Sequence, residues 1–289
     1  MMPHYIRRKL AQLEKVQKYQ EDFPFLLTES WSLLDLIFKG TKNIVLLGDG
    51  GAGKSTELKE LTRQLISKEN LEYIPIYIEL DNYVDEDVID YVKNKVGEES
   101  LSLLDYDNSK LLFLFDEFDR VMDKNIAVRK IKTFMESHSK SYFVIACRTN
   151  FYSSGQFDNF SALYILELTR EEIKQYATEI LGHHADSFLS QLAEHSLVGL
   201  AENPFFLNHL VIIYKYNNKL SEKRSDIFSK IISISLENDE KRLATKYDLS
   251  QAFPAKEIEN KLRYISIIME TIQKNILTTN ALTAGKTEN

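Results

Sequence analysis

The sequence predicts an α/β fold, a doubly wound parallel sheet followed by an all-helical subdomain. Five short apolar runs, at 43–47, 74–80, 111–115, 142–147 and 162–167, have the character of strands buried on both faces. Helical stretches separate most of them, which is the alternation of a doubly wound sheet. After Leu168 only helical patterns remain, near 170–181, 184–195, 204–216, 221–238 and 256–277.

Residues 1–41 read as an N-terminal helical segment. Its start is polar and basic, with Arg7, Arg8 and Lys9 together. Residues 28–39 form an amphipathic pattern that Gly40 stops. The α/β domain is expected over 42–168. In the helical subdomain, expected over 169–250, Thr169-Arg170-Glu171-Glu172 is a capping box. Asn203 as N-cap with Pro204 at the first helical position marks another start. The remainder, 251–289, is expected to open a further helical region and to end in a polar, frayed tail.

Composition excludes several classes. The chain has 289 residues, 44% of them apolar and 27% charged, enough for one large domain or two ordinary ones with a sizeable core. A net charge of −7 argues against broad attachment to nucleic acid, so none is indicated. The one cysteine, Cys147, excludes an internal disulfide and points to a reducing, cytoplasmic setting. No apolar run approaches the length of a membrane span, and the first 15 residues lack the apolar core of a signal peptide.

The chemistry concentrates in one place. Four of the ten glycines fall within Gly48-Asp49-Gly50-Gly51-Ala52-Gly53-Lys54-Ser55, followed by Thr56. This fits G-x-x-x-x-G-K-[ST], and it sits between an apolar strand and a helix with Leu58, Leu61 and Leu65 in register. Glycines let backbone N–H groups turn toward one anion, and the helix N-terminus adds the positive end of its dipole. Lys54 is expected at the β- and γ-phosphates of a nucleotide, and Ser55 at Mg²⁺. The run 111–115 ends at Asp116, the second expected Mg²⁺ residue. In one branch of P-loop proteins the strand following this aspartate is inserted between the two motif strands, and a catalytic glutamate lies close by. Strand order is not written in the sequence. Glu117 and Asp119 both stand as candidates to orient an attacking water, with Glu117 preferred. Arg148, at the end of the strand 142–147, has the charge and reach to sense a γ-phosphate. Cys147 reads as a small buried strand residue. His183, His184, His195 and His209 have no metal-ligand spacing.

On these motifs the chain resembles a NACHT-type member of the STAND P-loop NTPases. The resemblance spans about 42–275. Gly48 to Thr56 matches the Walker A motif, Asp116 to Asp119 the Walker B region, and Arg148 the sensor arginine. Ile74-Pro75-Ile76-Tyr77-Ile78-Glu79-Leu80 is similar to the family's second strand. Ala201-Glu202-Asn203-Pro204-Phe205-Phe206-Leu207 looks like the segment whose proline packs near adenine, which implies Pro204 as a base contact. Two departures stand out. Glu117 and Arg120 occupy places where the family has a small residue and an acid. The chain also ends soon after Leu262, Ile265, Met269 and Ile272, which resemble the first helix of a truncated winged-helix-like region.

The resemblance implies a cytoplasmic ATP/ADP signalling switch with slow Mg²⁺-dependent ATPase activity, of the kind used in bacterial antiphage defence. Its partners would be self-association or a protein supplying sensor and effector parts. Two alternatives stand beside it: a motor or loader of the AAA+ type, and a nucleotide-binding module without turnover. An element near Tyr5-Ile6 either folds back over the base or is a solvated basic start.

Overall fold

The computed structural model describes residues 5–12, 30–67, 73–97, 111–153, 155–157 and 159–247, with Ile258 and Asn260 as isolated positions. In chain order the strands are β1 (Leu10–Gln12), β2 (Asn43–Gly48), β3 (Ile74–Glu79), β4 (Leu111–Asp116), β5 (Tyr142–Arg148) and β6 (Ser161–Ile165). The helices of the sheet layer are α1 (Leu33–Phe38), α2 (Lys54–Ile66), α3 (Val88–Val96) and α4 (Lys124–Ser137). The helical part comprises α5 (Arg170–Leu181), α6 (Ala185–Glu194), α7 (Val198–Ala201), α8 (Pro204–Asn217) and α9 (Arg224–Tyr247).

The sheet order is β1-β6-β2-β5-β4-β3. All pairings are parallel except β1 with β6. The strand β5 therefore lies between β2 and β4, the inserted order that the sequence left open. The sheet is buried on both faces because each central strand is apolar at nearly every position. Val45 and Leu47 of β2 join Phe113, Phe115, Ile145 and Cys147 under α3 and α4. Ile44 and Leu46 face the other way, with Leu112, Leu114, Val144 and Ala146, under α1 and α2. This alternation is the period of two expected of strands. A third cluster, from Leu168 to Ile231, is the core of the helical part.

The helix starts agree with their sequence signals. Thr169 and Glu172 form the complete capping box, and Asn203 caps α8 with Pro204 at its first turn. Other boundaries differ. The helix expected over 28–39 begins at Leu33, because Ser32 accepts from the Asp35 N–H and ends the preceding extended chain. The short helix α7 was not expected, and α9 runs to Tyr247 rather than stopping at 238. Apart from Ile258 and Asn260, both helical, the helix expected over 256–277 lies outside the described residues.

The N-terminal segment needs a larger correction. It carries a strand as well as a helix, and its basic start is only partly solvated: Arg7 and Lys9 are exposed while Arg8 is buried. β1 pairs Leu10 with Ile165 at the sheet edge. Leu10 and Ala11 are fully buried and Arg8 is 5% exposed. Burial of Leu10 and Ala11 against the edge of the core overrides the polarity of the surrounding residues. Among the described residues no helix is long and apolar enough to cross a membrane.

Candidate functional site

The glycine loop leaves β2 at Gly48 and enters α2 at Lys54. Two of its glycines hold backbone angles that other residues rarely adopt, with φ of 77° at Gly51 and 96° at Gly53. A Cβ on Gly48 would collide with the Ile165 side chain, so the strand–loop junction favours glycine. The Lys54 ammonium turns back over the loop and donates to the Gly48 and Asp49 carbonyls at 2.6 and 3.0 Å. Burial pushes it below the ordinary lysine range, and Asp119 opposes that shift.

Asp116 ends β4 at 2% exposure. Both its oxygens are held. Tyr77, on the neighbouring strand, donates to Oδ2 at 2.7 Å, and the Glu117 N–H donates to Oδ1 at 2.8 Å. Burial and the Asp116 carboxylate push the Tyr77 hydroxyl far above its usual value, so it stays a donor. Sequence reasoning missed Tyr77. The available signal was a pair of polar residues, Tyr77 and Glu79, at alternate positions of an otherwise apolar strand.

The two candidate acids each meet a cation. Glu117 sits in the left-handed region, with φ 59° and ψ 31°, and its carboxylate lies 3.2 Å from Arg120. Burial raises its pKa, against the pull of Arg120. Asp119 lies 3.0 Å from Arg148 Nε and its side chain is 9% exposed. Arg148 also approaches the glycine loop, with Nη1 3.9 Å from where a Cβ on Gly50 would be.

The helical part closes on the loop directly. The Phe205 N–H donates to the Gly51 carbonyl at 3.3 Å, and Asn203 Nδ2 donates to the Gly50 carbonyl at 3.1 Å. Asn203 thus caps α8 with its oxygen and grips the loop with its nitrogen. Its capping role is legible in Asn-Pro. Its reach across 153 residues is not.

Most of these groups surround one cavity of about 370 Å³. Gly50, Gly51, Gly53, Lys54, Ser55 and Thr56 line it together with Asp116, Glu117, Asp119, Arg120, Arg148 and Pro204. Gly48, Asp49 and Ala52 belong to the loop without lining the cavity. Tyr5, Ile6 and Arg8 close one wall, and Tyr176, Leu207 and Asn208 the side near Pro204. The Tyr176 hydroxyl donates to Asn208 at 3.0 Å.

The donor set fits a phosphate group with a hard cation. It has a cradle of left-handed glycines, one buried ammonium, a hydroxyl at Ser55 and a buried carboxylate. Among the described residues no three His, Cys, Asp or Glu side chains form a metal cluster. Cys147 is fully buried, and burial pushes its thiol up to about 12. His209 is a core residue whose Nδ1 donates to the Phe205 carbonyl at 2.7 Å and whose Nε2 lies 3.3 Å from Ser235 Oγ.

No family model and no curated protein matches the chain. Solved structures match weakly. One is the Aeropyrum pernix Orc1 protein in complex with DNA, at 15% identity and a TM-score of 0.44, covering 87% of this chain and 78% of that one. A likeness of that strength carries no argument about activity.

Proposed function

We propose that the chain is an ATP/ADP-binding switch with slow Mg²⁺-dependent ATPase activity, similar to the STAND NTPases of bacterial defence. The observation that carries this reading is the double hydrogen bond from Asn203 and Phe205 to the glycine loop. It makes the packing of the helical part depend on the loop's conformation. A ligand seated in the loop then binds the joined and separated arrangements unequally, which is the condition for a switch.

Each residue has a role in this reading. Gly50, Gly51 and Gly53 present backbone N–H groups to the phosphates, and Lys54 moves from the loop carbonyls to the β- and γ-phosphates. Ser55 and Asp116 hold Mg²⁺, which supplies charge neutralisation when bound. Glu117 orients the attacking water. It stays the preferred acid, although both are ion-paired, Glu117 with Arg120 and Asp119 with Arg148; a departing Arg148 is free to meet the γ-phosphate. Pro204 and the wall at Tyr5 and Ile6 flank the base. Adenine rather than guanine, self-association and a role in antiphage signalling rest on the family resemblance.

The test follows ATP turnover in wild type, Lys54→Ala, Glu117→Gln and Asp119→Asn. Slow turnover abolished by the first two supports the reading. Turnover that survives Glu117→Gln but not Asp119→Asn moves the base to Asp119. Rapid turnover favours a motor, and bound but unaltered ATP favours a module without catalysis.

A further inference from the structure

The segment 5–12 touches three parts of the molecule at once. Its strand β1 lies on β6, and the Leu166 N–H donates to the Lys9 carbonyl at 2.9 Å. Lys9 reaches Glu172 of α5 at 3.5 Å, and Ile6 packs on the helical core. Toward α2, the Tyr5 hydroxyl donates to Glu57 Oε2 at 2.7 Å. The nearby Arg8 opposes the effect of burial on the same carboxylate. Glu57 is 3% exposed, in the turn of α2 that directly follows Lys54, Ser55 and Thr56.

The glycine-loop chemistry uses neither Tyr5 nor Glu57. A buried carboxylate is costly unless it is bonded, so its position demands a reason. Its partners supply one. Tyr5 and Arg8 both line the cavity. Removing them would leave Glu57 buried without donors from the segment.

We propose that Tyr5 and Glu57 are positioning residues, clamping the N-terminal wall of the cavity to the helix that carries the phosphate loop and so setting how long a nucleotide is held. The statement about dwell time rests on the nucleotide reading above; the clamp itself does not. Opening the wall breaks the Tyr5 bond and draws Arg8 away from Glu57, and that cost slows release. The same segment joins the helical part through Glu172 and Ile6, so the clamp also ties the two parts together at a second point beyond the loop contact.

Two measurements on the full chain test it, with Tyr5→Phe as the variant because it removes one hydroxyl and no packing. The first is amide exchange without nucleotide at Leu10 and Trp31, whose backbones bond each other at 2.8 and 3.1 Å and report seating of the segment. The second is the release rate of a fluorescent ADP with Mg²⁺. Exchange and release should each rise about 5- to 10-fold in Tyr5→Phe. Glu57→Gln, which keeps an acceptor, should stay closer to wild type. Unchanged exchange overturns the clamp. Faster exchange with unchanged release overturns its control of dwell time. A wild type that binds no ADP sinks the nucleotide reading and the dwell claim with it, while the exchange result still decides the clamp.

Discussion

Replacing Gly51 with alanine should cost about 2–5 kcal/mol of stability, and the reason is local. The residue holds φ 77°, in the left-handed region, where an alanine costs roughly 1–2 kcal/mol. Its Cβ would stand 2.6 Å from Phe205 Cβ and 2.9 Å from Asn203 Oδ1. Neither neighbour can give way freely, since Asn203 is locked as the cap of α8 and Phe205 N–H is bonded to Gly51 itself. The helical part must therefore shift off the loop. Two hydrogen bonds are then lost or weakened, each with a net value of about 0.5–1.5 kcal/mol. Gly40 is the control. It has φ 84° but nothing within 4 Å of an added Cβ, so Gly40→Ala should show the backbone cost alone. The assay is urea unfolding followed by Trp31 fluorescence and by circular dichroism. A Gly51→Ala variant no less stable than Gly40→Ala would refute the claim that the helical part is gripped at the loop.

Other outcomes follow from the same geometry. Tyr77→Phe removes a donor to a carboxylate that is 2% exposed, and should cost about 1–3 kcal/mol by denaturant unfolding. Burial pushes Glu57 up to about 6 from 4.5, so the folded state holds that proton more tightly. Its contribution to stability is full below pH 4.5 and is lost as pH rises through 6, a change of about 2 kcal/mol. The difference in unfolding free energy between wild type and Glu57→Gln should carry that slope, and a flat difference over this range would contradict it. Cys147, fully buried with its thiol pushed up to about 12, should react with a disulfide reagent only after unfolding, as thiol counting with and without urea will show.

The parts of the fold legible in the sequence are those fixed by local pattern. The strands β2 to β6 are apolar at nearly every position, and the loop from Gly48 to Ser55 carries its chemistry in its spacing. The caps at Thr169 and Asn203 depend on neighbours within three residues. What escaped depends on pairing between distant segments. The insertion of β5 between β2 and β4 is a property of the crossovers, and no residue records it. The Tyr77 bond to Asp116 needs the register that sets Glu79 beside Asp116. β1 has only three residues and no alternation, so nothing marks Leu10 as the edge of the core. The two candidate acids, Glu117 and Asp119, are two residues apart on a tight turn. Their directions follow from the left-handed backbone at Glu117, which no pattern announces.

The most direct test of the central claim is calorimetric titration of the full chain with ADP and Mg²⁺, run beside Lys54→Ala. The account predicts one saturable site in wild type and its loss in Lys54→Ala, with both proteins folded to the same circular dichroism spectrum. Wild type should also carry nucleotide that appears in solution on denaturation. No heat, no released nucleotide and no difference between the two proteins would contradict the claim that this loop is a nucleotide site.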